Sequence, residues 1–481
     1  MALWKALDGI LKPVAVSKFT GIDRQDMFGI DDGAATYLKN LCAGSYPAMA
    51  VRPGFTKLGN IGGSVQGLGA YQDGTLHAIA SEWYYWSGSA FVPIMSLATT
   101  GAYSFCNFRG SASNPNLMLL SNGQSQYWAS SATGSASEIP ELPPENPGLD
   151  THDNRVYAAG GNNGETQGNY VSWCSLGAPQ YWTPGMPSSD PGDAGGLTVE
   201  TPYGTQISCI KAGPQHLIIF MPRYMTELWG TDPVNFQLQE VSSQIGCVAQ
   251  NAAVMAADGN CYFVGLSGIY QYSGGVIPDK SFSLPVQWYI DNMNQAAAGT
   301  CVAGTDGTSV YFAIPTGTAT APNYVLVYNT RYPGIWYVYE LGFSCTAMTM
   351  MAGVLYMGDS NGNVYQMNAG TTDNGTATPW EWTSKPFGGG SLAQRQQWNK
   401  MWITVTLPAG STLQIWLSPS ADGNDFVQAG SLTGSALTQS TRVLIPVTMV
   451  ANANWVRVRL VGTGPCTVHE VTRQMREMPY V

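Results

Sequence analysis

A repeated pattern of short apolar strands and tight turns runs through the middle of the chain. Each copy begins with a turn, continues with four or five mainly apolar residues, and returns through a strand rich in aromatic residues. Seven turns begin the copies: Asp73-Gly74, Asn114-Pro115, Asp153-Asn154, Gly213-Pro214, Asp258-Gly259, Asp306-Gly307 and Ala352-Gly353. Asp-Gly and similar pairs supply the positive φ angles of two-residue hairpins, so the pattern predicts antiparallel β-structure.

The spacing of these turns indicates a β-propeller. Successive turns lie 41, 39, 60, 45, 48 and 47 residues apart, a mean of roughly 47, which is the length of a four-stranded blade. The long third interval contains an insertion rich in Gly, Pro and Asp at 188–197. We therefore predict an all-β chain whose residues 45–384 form a six- or seven-bladed β-propeller. Six blades plus an irregular pair of strands fit the spacing almost as well as seven.

The pattern changes beyond a Gly-rich linker at 385–390. Apolar residues then alternate with polar ones at Met401, Ile403, Val405 and Leu407, at Leu413, Ile415 and Leu417, and at Val456, Val458 and Leu460. Alternation with a period of two predicts strands with one buried face, and we expect a small C-terminal β-sandwich over residues 390–481. Arg457 and Arg459 lie on the opposite face of their strand, where they are either solvated or in contact with a partner protein.

Residues 1–44 are predicted to hold a short N-terminal amphipathic helix followed by an arm. The helix should end near Lys12-Pro13, because proline terminates helices. One side of it carries the apolar residues Leu3, Trp4, Leu7, Ile10, Leu11 and Val14. We prefer packing of this stripe against the protein's own body or a neighbouring subunit to binding at a membrane surface. The candidate assembly contacts are Leu3, Trp4, Leu7, Leu11, Arg457 and Arg459.

Composition excludes several other classes of protein. Hydrophobic residues make up 44% of the 481 residues, which excludes disorder as the main state, and the 56 Gly show no collagen period. The nine cysteines contain no Cys-x-x-Cys pair, so we expect buried thiols in a reducing compartment. We find no apolar run of the length of a membrane span or a signal peptide, and we expect the chain to fold in a cytoplasm.

The charge is negative and unevenly distributed. The formal net charge is −10, which argues against a protein that coats nucleic acid. Residues 1–60 carry 7 basic and 5 acidic groups, residues 61–384 carry 6 and 22, and residues 385–481 carry 8 and 4. A strongly acidic middle therefore lies between mildly basic ends.

Propellers also host glycosidases, so we tested the chain for the residues of a sialidase. That chemistry requires three clustered arginines, a Tyr assisted by Glu, an acid, and repeated Asp-box turns. Residues 61–384 contain four arginines: Arg109, Arg155, Arg223 and Arg331. The Asp-box-like stretch at 420–426 lies in the terminal module and out of register. These observations disfavour a sialidase.

Other candidate chemistry is equally sparse. Glu227 and Asp232 could form a general acid–base pair, but we expect structural surface acids. The histidines His77, His152, His216 and His469 are too far apart for a local metal or triad motif. The stretch at 359–363 superficially suggests a calcium loop, but its Gly362 is misplaced, and we predict a blade hairpin there. We therefore expect no catalytic residue, no metal site and no cofactor.

Three segments resemble the packaged-DNA-stabilisation proteins of short-tailed bacteriophages, also called tail hub or nozzle proteins. The first is 50–59, where Arg52-Pro53-Gly54-Phe55 is similar to a family Pro-Gly segment before the first blade. The second is 217–265, where Thr226-Glu227-Leu228-Trp229 looks like a family signature and is followed by Gly246-Cys247-Val248. The third is the terminal module, with Leu417-Ser418, Asp422-Gly423 and Arg457-Val458-Arg459-Leu460 in the family's order.

The resemblance touches most of the chain from about residue 45 onward. It implies a homo-oligomeric ring, a hexamer in the family, that contacts the portal or adaptor and other tail proteins. Such a ring continues the DNA channel and retains the packaged genome until ejection. It implies a location in the virion tail after synthesis in the host cytoplasm, with no membrane span. The helix around Trp4 has no counterpart in the family pattern, which leaves the upstream contact open.

The acidic middle is compatible with that role. A channel lined by carboxylates would repel DNA phosphates and let a duplex slide without sequence-specific binding. Two other functions stay open, a carbohydrate- or receptor-binding propeller on a virion and a propeller glycosidase. Oligomeric state separates these classes, because a ring requires a defined stoichiometry and a lectin does not.

Overall fold

The computed structural model describes residues 13–478, with gaps at 111–115, 135, 140–147, 162–167, 185–192, 202–204, 390 and 436–440. Half of the residues lie in strands and 5% in helices, which confirms the all-β class. The chain divides into two compact units. Unit 1 contains the residues up to Gly54, the segment Gly334–Tyr339 and the residues from Ala369 onward, and unit 2 contains Phe55–Pro333 and Glu340–Asn368.

Unit 2 is a seven-bladed β-propeller of antiparallel sheets. Blade 1 comprises Gly67–Ala70, Leu76–Ile79, Glu82–Trp86 and Phe91–Ser96, and blade 2 Ser104–Phe108, Leu117–Ser121, Gln126–Ala129 and Ala136–Glu138. Blade 3 comprises Gly148–His152, Arg155–Gly161, Tyr170–Trp173 and Gly195–Thr198, and blade 4 Cys209–Ala212, Leu217–Met221, Tyr224–Trp229 and Gln237–Ser242. Blade 5 comprises Ala253–Met255, Cys261–Val264 and Ile269–Tyr272. The unit 2 strands of blade 6 are Val302–Thr305, Ser309–Ile314 and Tyr324–Asn329, and blade 7 comprises Cys345–Met351, Val354–Asp359, Asn363–Gln366 and Thr56–Asn60.

The propeller closes because two distant segments of the chain share one blade. Thr56–Asn60, which precedes blade 1, pairs antiparallel with Asn363–Gln366 as the outer strand of blade 7. The first strand named for each blade is its inner strand, next to the propeller axis. The inner strand of each blade contacts the inner strand of the next blade, and the inner strand of blade 7 contacts the inner strand of blade 1. The spacing of the turns left six or seven blades open, and the structure has seven.

The turns of the sequence repeat connect the first and second strands of their blades. Asp153 and Asn154 both adopt positive φ angles, 44° and 58°, as a type I′ hairpin requires. Ala352 does the same at 50° before Gly353 at 77°. Asn114-Pro115 lies outside the described residues. The predicted phase of the repeat is confirmed for the other six turns, because local turn chemistry determines where each hairpin forms.

The hydrophobic core of unit 2 lies between neighbouring blades. Side chains from blades 3 and 4 form one buried cluster, which includes Tyr157, Trp173, Ile219 and Leu228. Similar clusters join blade 1 to blade 2, blade 2 to blade 3, and blade 7 to blade 1. The sheets of blades 1 to 3 are therefore covered on both faces, which explains why a strand such as Leu117–Ser121 is buried throughout instead of alternating.

Unit 1 is a β-sandwich of two mainly antiparallel sheets. The first sheet has the order Leu41–Cys42, Met49–Val51, Thr467–Glu477, Gln396–Thr406 and Thr441–Ile445, with Pro13–Val16 beside Thr467–Glu477 and Asn452–Ala453 beside Gln396–Thr406. The second has the order Ala35–Lys39, Pro379–Ser384, Trp455–Thr463, Thr412–Ser418 and Val427–Thr433, with Phe387–Gly388 beside Trp455–Thr463. Unit 1 also contains the strand Trp336–Tyr339 and the hairpin Thr372–Asp373 with Thr376–Ala377.

The division into units differs from the predicted boundaries. Residues 45–54, 334–339 and 369–384, all predicted within the propeller, belong to unit 1, and the arm after residue 12 contributes strands to the sandwich. The alternating positions Met401, Ile403 and Val405 are buried as predicted, whereas Leu407 follows the strand. Val14 lies in the strand Pro13–Val16, so its assignment to the N-terminal helix is wrong. The remaining helix positions lie outside the described residues.

Helices in the described part of the chain are short. They are the 3₁₀-helices Pro233–Asn235, Gln250–Ala252, Leu284–Val286, Gln295–Thr300 and Thr448–Val450 and the α-helix Gln287–Asp291. Among the described residues we find no helix with the length and hydrophobicity needed to cross a bilayer.

Candidate functional site

Glu227, one of the two candidate catalytic acids, is buried inside unit 2. Its carboxylate is 0% exposed, although we expected a surface acid. The indole Nε1 of Trp229 donates to its Oε2 at 2.8 Å, and the hydroxyl of Tyr272 in blade 5 donates to its Oε1. His216 Nε2 lies 3.0 Å from the same Oε1. The carboxylate therefore links blades 4 and 5, and the expectation of a surface position is wrong for Glu227.

The pair of Tyr272 and Glu227 has the chemistry of a sialidase nucleophile but not its accessibility. Tyr272 is 2% exposed. Burial and the hydrogen bond to Glu227 both raise the pKa of this phenol. A general base must lie within hydrogen-bond reach of a substrate proton, and a pair enclosed between two blades offers no such approach.

His216 and Asp232, which lie near Glu227 in the sequence, are also structural. The centroid of the His216 ring lies 4.7 Å from that of Trp229, with the two rings tilted by 32°, and burial lowers the pKa of His216 against the opposing effect of Glu227. Asp232 begins the 3₁₀-helix Pro233–Asn235, where its Oδ1 accepts from the amide of Val234 at 2.9 Å. Asp232 and Glu227 therefore have separate partners and do not form an acid–base pair.

The arginines required by a sialidase are not brought together. Arg155 is 1% exposed and donates to the carbonyl oxygens of Cys174 at 2.8 Å and Asp193 at 3.1 Å, both within its own blade. Arg223 lies in the turn after the second strand of blade 4, whereas Arg331 follows the third strand of blade 6. These two positions are at opposite ends of their blades, because consecutive antiparallel strands reverse direction.

The calcium-loop alternative fails because protein donors occupy the carboxylate. Oδ1 of Asp359 accepts from the amides of Asn361 and Asn363, each at 2.8 Å. Its Oδ2 accepts from Nδ2 of Asn363 at 2.8 Å and from the hydroxyl of Tyr365 at 3.0 Å. The segment joins two strands of blade 7, which confirms the hairpin. Within the described ranges, His, Cys, Asp and Glu side chains form no cluster of three that could hold a metal ion.

The nine cysteines are all free thiols, and eight of them are buried. Cys42 is half-buried, so the expectation of a buried thiol holds only in part for this residue. Burial raises the pKa of Cys466 to about 12 and that of Cys174 to about 12. These thiols stay protonated at neutral pH and are poor nucleophiles.

The candidate assembly contacts divide into three cases. Leu3, Trp4, Leu7 and Leu11 lie outside the described residues. Arg457 is 8% exposed, and its guanidinium donates to Ser384 O at 3.2 Å, Ala421 O at 2.9 Å and Thr36 Oγ1 at 2.5 Å. These bonds hold Arg457 within unit 1. Arg457 is therefore neither solvated on an open strand face nor available to contact a partner protein. Arg459 is partly exposed and pairs with Glu381 at 2.6 Å.

Arg457 is buried because a loop covers the outer face of its strand. The stretch that resembles an Asp box forms this loop, in which Ser418 and Asp425 are hydrogen-bonded through their side chains. Phe426 lies 5.9 Å from the guanidinium of Arg457 and 5.8 Å from that of Arg459. Strand alternation alone could not reveal this cover.

Two cavities lie along the propeller axis. The larger, about 550 Å³, is lined by all seven inner strands, and the second is about 510 Å³. Both cavities contact Asn251 and Val302. Their volumes are within the range of small-molecule pockets, which is roughly 300–1,000 Å³. Each of the two cavities on the propeller axis is therefore large enough for a small molecule.

The smaller cavity has neutral walls among the described residues. Gln250 donates and accepts only within the fold, with its Oε1 accepting from Ile210 N at 2.9 Å. Gln206 Nε2 donates to Gly160 O at 2.7 Å, and Gln66 Oε1 accepts from Gly101 N at 2.9 Å. These amides join adjacent blades. The larger cavity differs, since Asp150 and Lys211 both line it.

Sequence reasoning missed the groups that the propeller brings together. Lys211 and Asp150 are 61 residues apart, and Tyr272 and Glu227 are 45 apart. Each pair joins neighbouring blades at the period of the repeat. A comparison of equivalent positions in successive repeats could have found them.

Comparisons with known proteins do not identify a family for this chain. No protein-family model matches the chain, and no curated protein matches it. Virginiamycin B lyase from Staphylococcus aureus is similar with a TM-score of 0.44 and 12% identity, over 65% of this chain and 97% of that one. The RRP9 WD40 repeats give 0.42 and 10%, over 66% and 99%. The Pan2 WD40 domain of Neurospora crassa gives 0.36 and 12%, over 65% and 94%. At these identities the likeness concerns the fold alone.

Proposed function

We propose that this protein is a structural component of a bacteriophage tail, where copies of it form a ring that continues the DNA channel. The ring, a hexamer as the resemblance implies, would contact the portal or adaptor and retain the packaged genome until ejection. It acts through assembly and channel electrostatics, without catalysis and without a cofactor. The protein is a virion component made in the host cytoplasm.

The observation that carries the proposal is the structural position of the resembling segments. In the first segment, Arg52 is buried and donates to both oxygens of Asp373, at 2.9 and 2.7 Å. An added Cβ on Gly54 would overlap the carbonyl oxygen of Thr372, so this position requires glycine. Arg52 and Gly54 therefore stabilise the folded structure of unit 1.

The other two segments have similar positions. Glu227 joins blades 4 and 5, and a Cβ on Gly246 would overlap the carbonyl oxygen of Met221. Arg457 and Ser418 fix the loop that covers the outer face of the sandwich. The motifs thus maintain a framework in both units, as expected of a protein whose function is to assemble.

The rim of the propeller supports an assembly role. Blade 5 has three strands among the described residues. After its last strand, Val276 is 72% exposed and Ile277 61% exposed. Val234, which follows the third strand of blade 4, is 84% exposed. Val276 and Ile277 are adjacent in the chain, contiguous exposed apolar surface is typical of protein contacts, and a ring needs a contact surface on each subunit.

The acidic residues of the propeller differ in their surroundings, and only those exposed to solvent could act on DNA in a channel. Oδ1 of Asp73, Asp258 and Asp306 accepts backbone amides in the blade turns at 2.8 to 3.0 Å. Among the acids that the structure describes, only Asp150 lines the axial cavities. Carboxylates that could face a lumen between subunits are exposed ones such as Glu138 and Glu240.

The assembly test compares the purified protein with three variants by light scattering and negative-stain imaging. The wild type should form rings of one size. Deletion of residues 1–12 or Ile277→Asp should reduce assembly at least tenfold and leave the β-sheet circular dichroism unchanged. Leu444→Asp is the matched control, since Leu444 is 59% exposed on unit 1 and should assemble normally. A monomeric wild type would contradict the ring.

The ejection test addresses the channel. Replacing Glu138 and Glu240 by Gln should slow DNA release from particles, and Lys replacements should slow it further, because the wall loses its repulsion. Added salt should weaken both effects, since screening acts over roughly 10 Å at 0.1 M. Release rates that respond to neither replacement would show that these acids only keep an outer surface soluble.

A further inference from the structure

Lys211 provides the positive charge of the larger axial cavity among the described residues. It is half-buried on the inner strand Cys209–Ala212 of blade 4. Its ammonium forms no hydrogen bond or ion pair with a described residue. A lysine ammonium has three N–H donors and no acceptor. All three donors are therefore left for a molecule inside the cavity.

The carboxylate in the same cavity does not satisfy this ammonium directly. Oδ1 of Asp150 accepts from the amide of Thr151 at 2.8 Å, and Oδ2 accepts from the amide of Ala212 at 2.9 Å. Burial lowers the pKa of Lys211, the Coulombic effects of Cys209 and Asp150 raise it, and the net pKa lies above its usual value. Lys211 is therefore a cation at neutral pH.

The rest of the wall combines apolar side chains with polar groups. Each inner strand pairs only with the second strand of its own blade, so alternate backbone groups face the axis. Asn107 donates from Nδ2 to Ala70 O at 2.7 Å, and its Oδ1 is buried without a partner. Met118, Met255 and Met348 add apolar surface. A ligand here would need one anionic group and several hydroxyls.

We propose that the larger axial cavity binds a small organic monoanion, a carboxylate that carries hydroxyl groups, with its charged oxygens on Lys211. The carboxylate accepts the free N–H donors, and the hydroxyls bond to backbone groups of the inner strands. Asp150 disfavours a second negative charge, which selects against phosphate. This site is additional to the assembly function and does not depend on it.

Isothermal titration with gluconate, lactate and acetate tests the site, with glucose as the neutral analogue of gluconate. Gluconate should bind, and glucose and phosphate should bind at least tenfold more weakly. Lys211→Met should reduce gluconate affinity at least tenfold, because it removes a charge-assisted hydrogen bond. Asp150→Asn should raise the affinity severalfold, a gain that a purely structural role for the pair would not produce. Lys280→Met, at an exposed position outside the axial cavities, should change nothing.

Three results would overturn the proposal. One is the absence of binding by all three carboxylates. A second is equal affinity in the wild type and in a Lys211→Met protein whose melting temperature is unchanged. The third is phosphate or glucose binding as tightly as gluconate, which would assign the cavity to another ligand class. The melting temperature of each variant, measured without ligand, separates misfolding from loss of the site.

Discussion

Lowering the pH from 7 to 5 should destabilise the propeller through a single buried histidine in blade 1. His77 is 0% exposed, and its Nδ1 accepts from the indole Nε1 of Trp83 at 2.9 Å. Its Nε2 is buried without a hydrogen-bond partner. A second proton would therefore remove the bond from Trp83 and place an unpaired charge in the core.

Burial lowers the pKa of His77 to about 4, although Asp73 acts in the opposite direction. In the unfolded chain the pKa returns to about 6.5, so the unfolded state binds the proton first as pH falls. Stability is present above pH 6.5 and is lost towards pH 4. At pH 5 the unfolded imidazole is 1.5 pH units below its pKa, which corresponds to about 2 kcal/mol at ~1.36 kcal/mol per unit. Below pH 4 the loss should level off at about 3 kcal/mol.

The variant His77→Asn isolates this contribution, because the Asn side-chain oxygen can accept from Trp83 and does not titrate. Urea unfolding at pH 7, 6 and 5 should show that the wild type loses about 2 kcal/mol more than the variant over this range. Carbon-detected NMR of labelled histidines measures the folded pKa directly. A His77 resonance that titrates near 6.5 in the folded protein would refute the reasoning, as would a stability difference that is independent of pH.

Three further perturbations test the framework. Arg52→Ala should lower the free energy of unfolding of unit 1 in urea by about 3–5 kcal/mol, because it leaves the carboxylate of Asp373 unpaired. Arg52→Lys should recover only part of this loss, since lysine cannot pair with both oxygens. Glu227→Ala should lower the free energy of unfolding by about 3 kcal/mol, because Tyr272 and Trp229 lose their acceptor. Glu227→Gln should lower it less. Equal losses in the two variants would show that packing of the side chain dominates its hydrogen bonds. Gly246→Ala should cost about 3 kcal/mol by overlap with Met221, whereas Gly299→Ala, where an added Cβ meets nothing within 4 Å, should be neutral in the same thermal melt.

The propeller could be predicted from sequence because its signal is local. Asp258-Gly259 and Asp306-Gly307 specify hairpins through their own backbone preferences. The closing strand Thr56–Asn60 carries no such signal. Its side chains are mostly exposed, and its partner Asn363–Gln366 is about three hundred residues away in the chain. Closure is a property of the whole ring, so it could not be seen in either segment alone.

The sandwich and the axial site were harder to predict for a related reason. Alternation placed Val456 and Val458 in the core correctly, but the cover over Arg457 comes from a loop whose position depends on the fold. Ala35–Lys39 pairs with Pro379–Ser384, which lies about 340 residues further along the chain, so neither segment alone reveals the pairing. Lys211 and Asp150 appear as ordinary charged residues in the sequence. Their proximity follows from the repeat, because equivalent inner strands of neighbouring blades meet around one axis.

The negative charge of residues 61–384 therefore has at least two causes. A carboxylate at a blade turn accepts backbone amides and is selected by hairpin geometry, as Asp258 and Asp306 show. Their second oxygens accept the hydroxyls of Tyr262 and Tyr311, each at 2.7 Å, so these acids also fix the next strand. Exposed acids such as Glu138 and Glu240 lie on the outer strands of their blades, and in the proposed ring these are the acids that would contribute to a field in the lumen. Net charge alone overstates the electrostatic effect, because a carboxylate that accepts several N–H and O–H donors is partly neutralised by their dipoles.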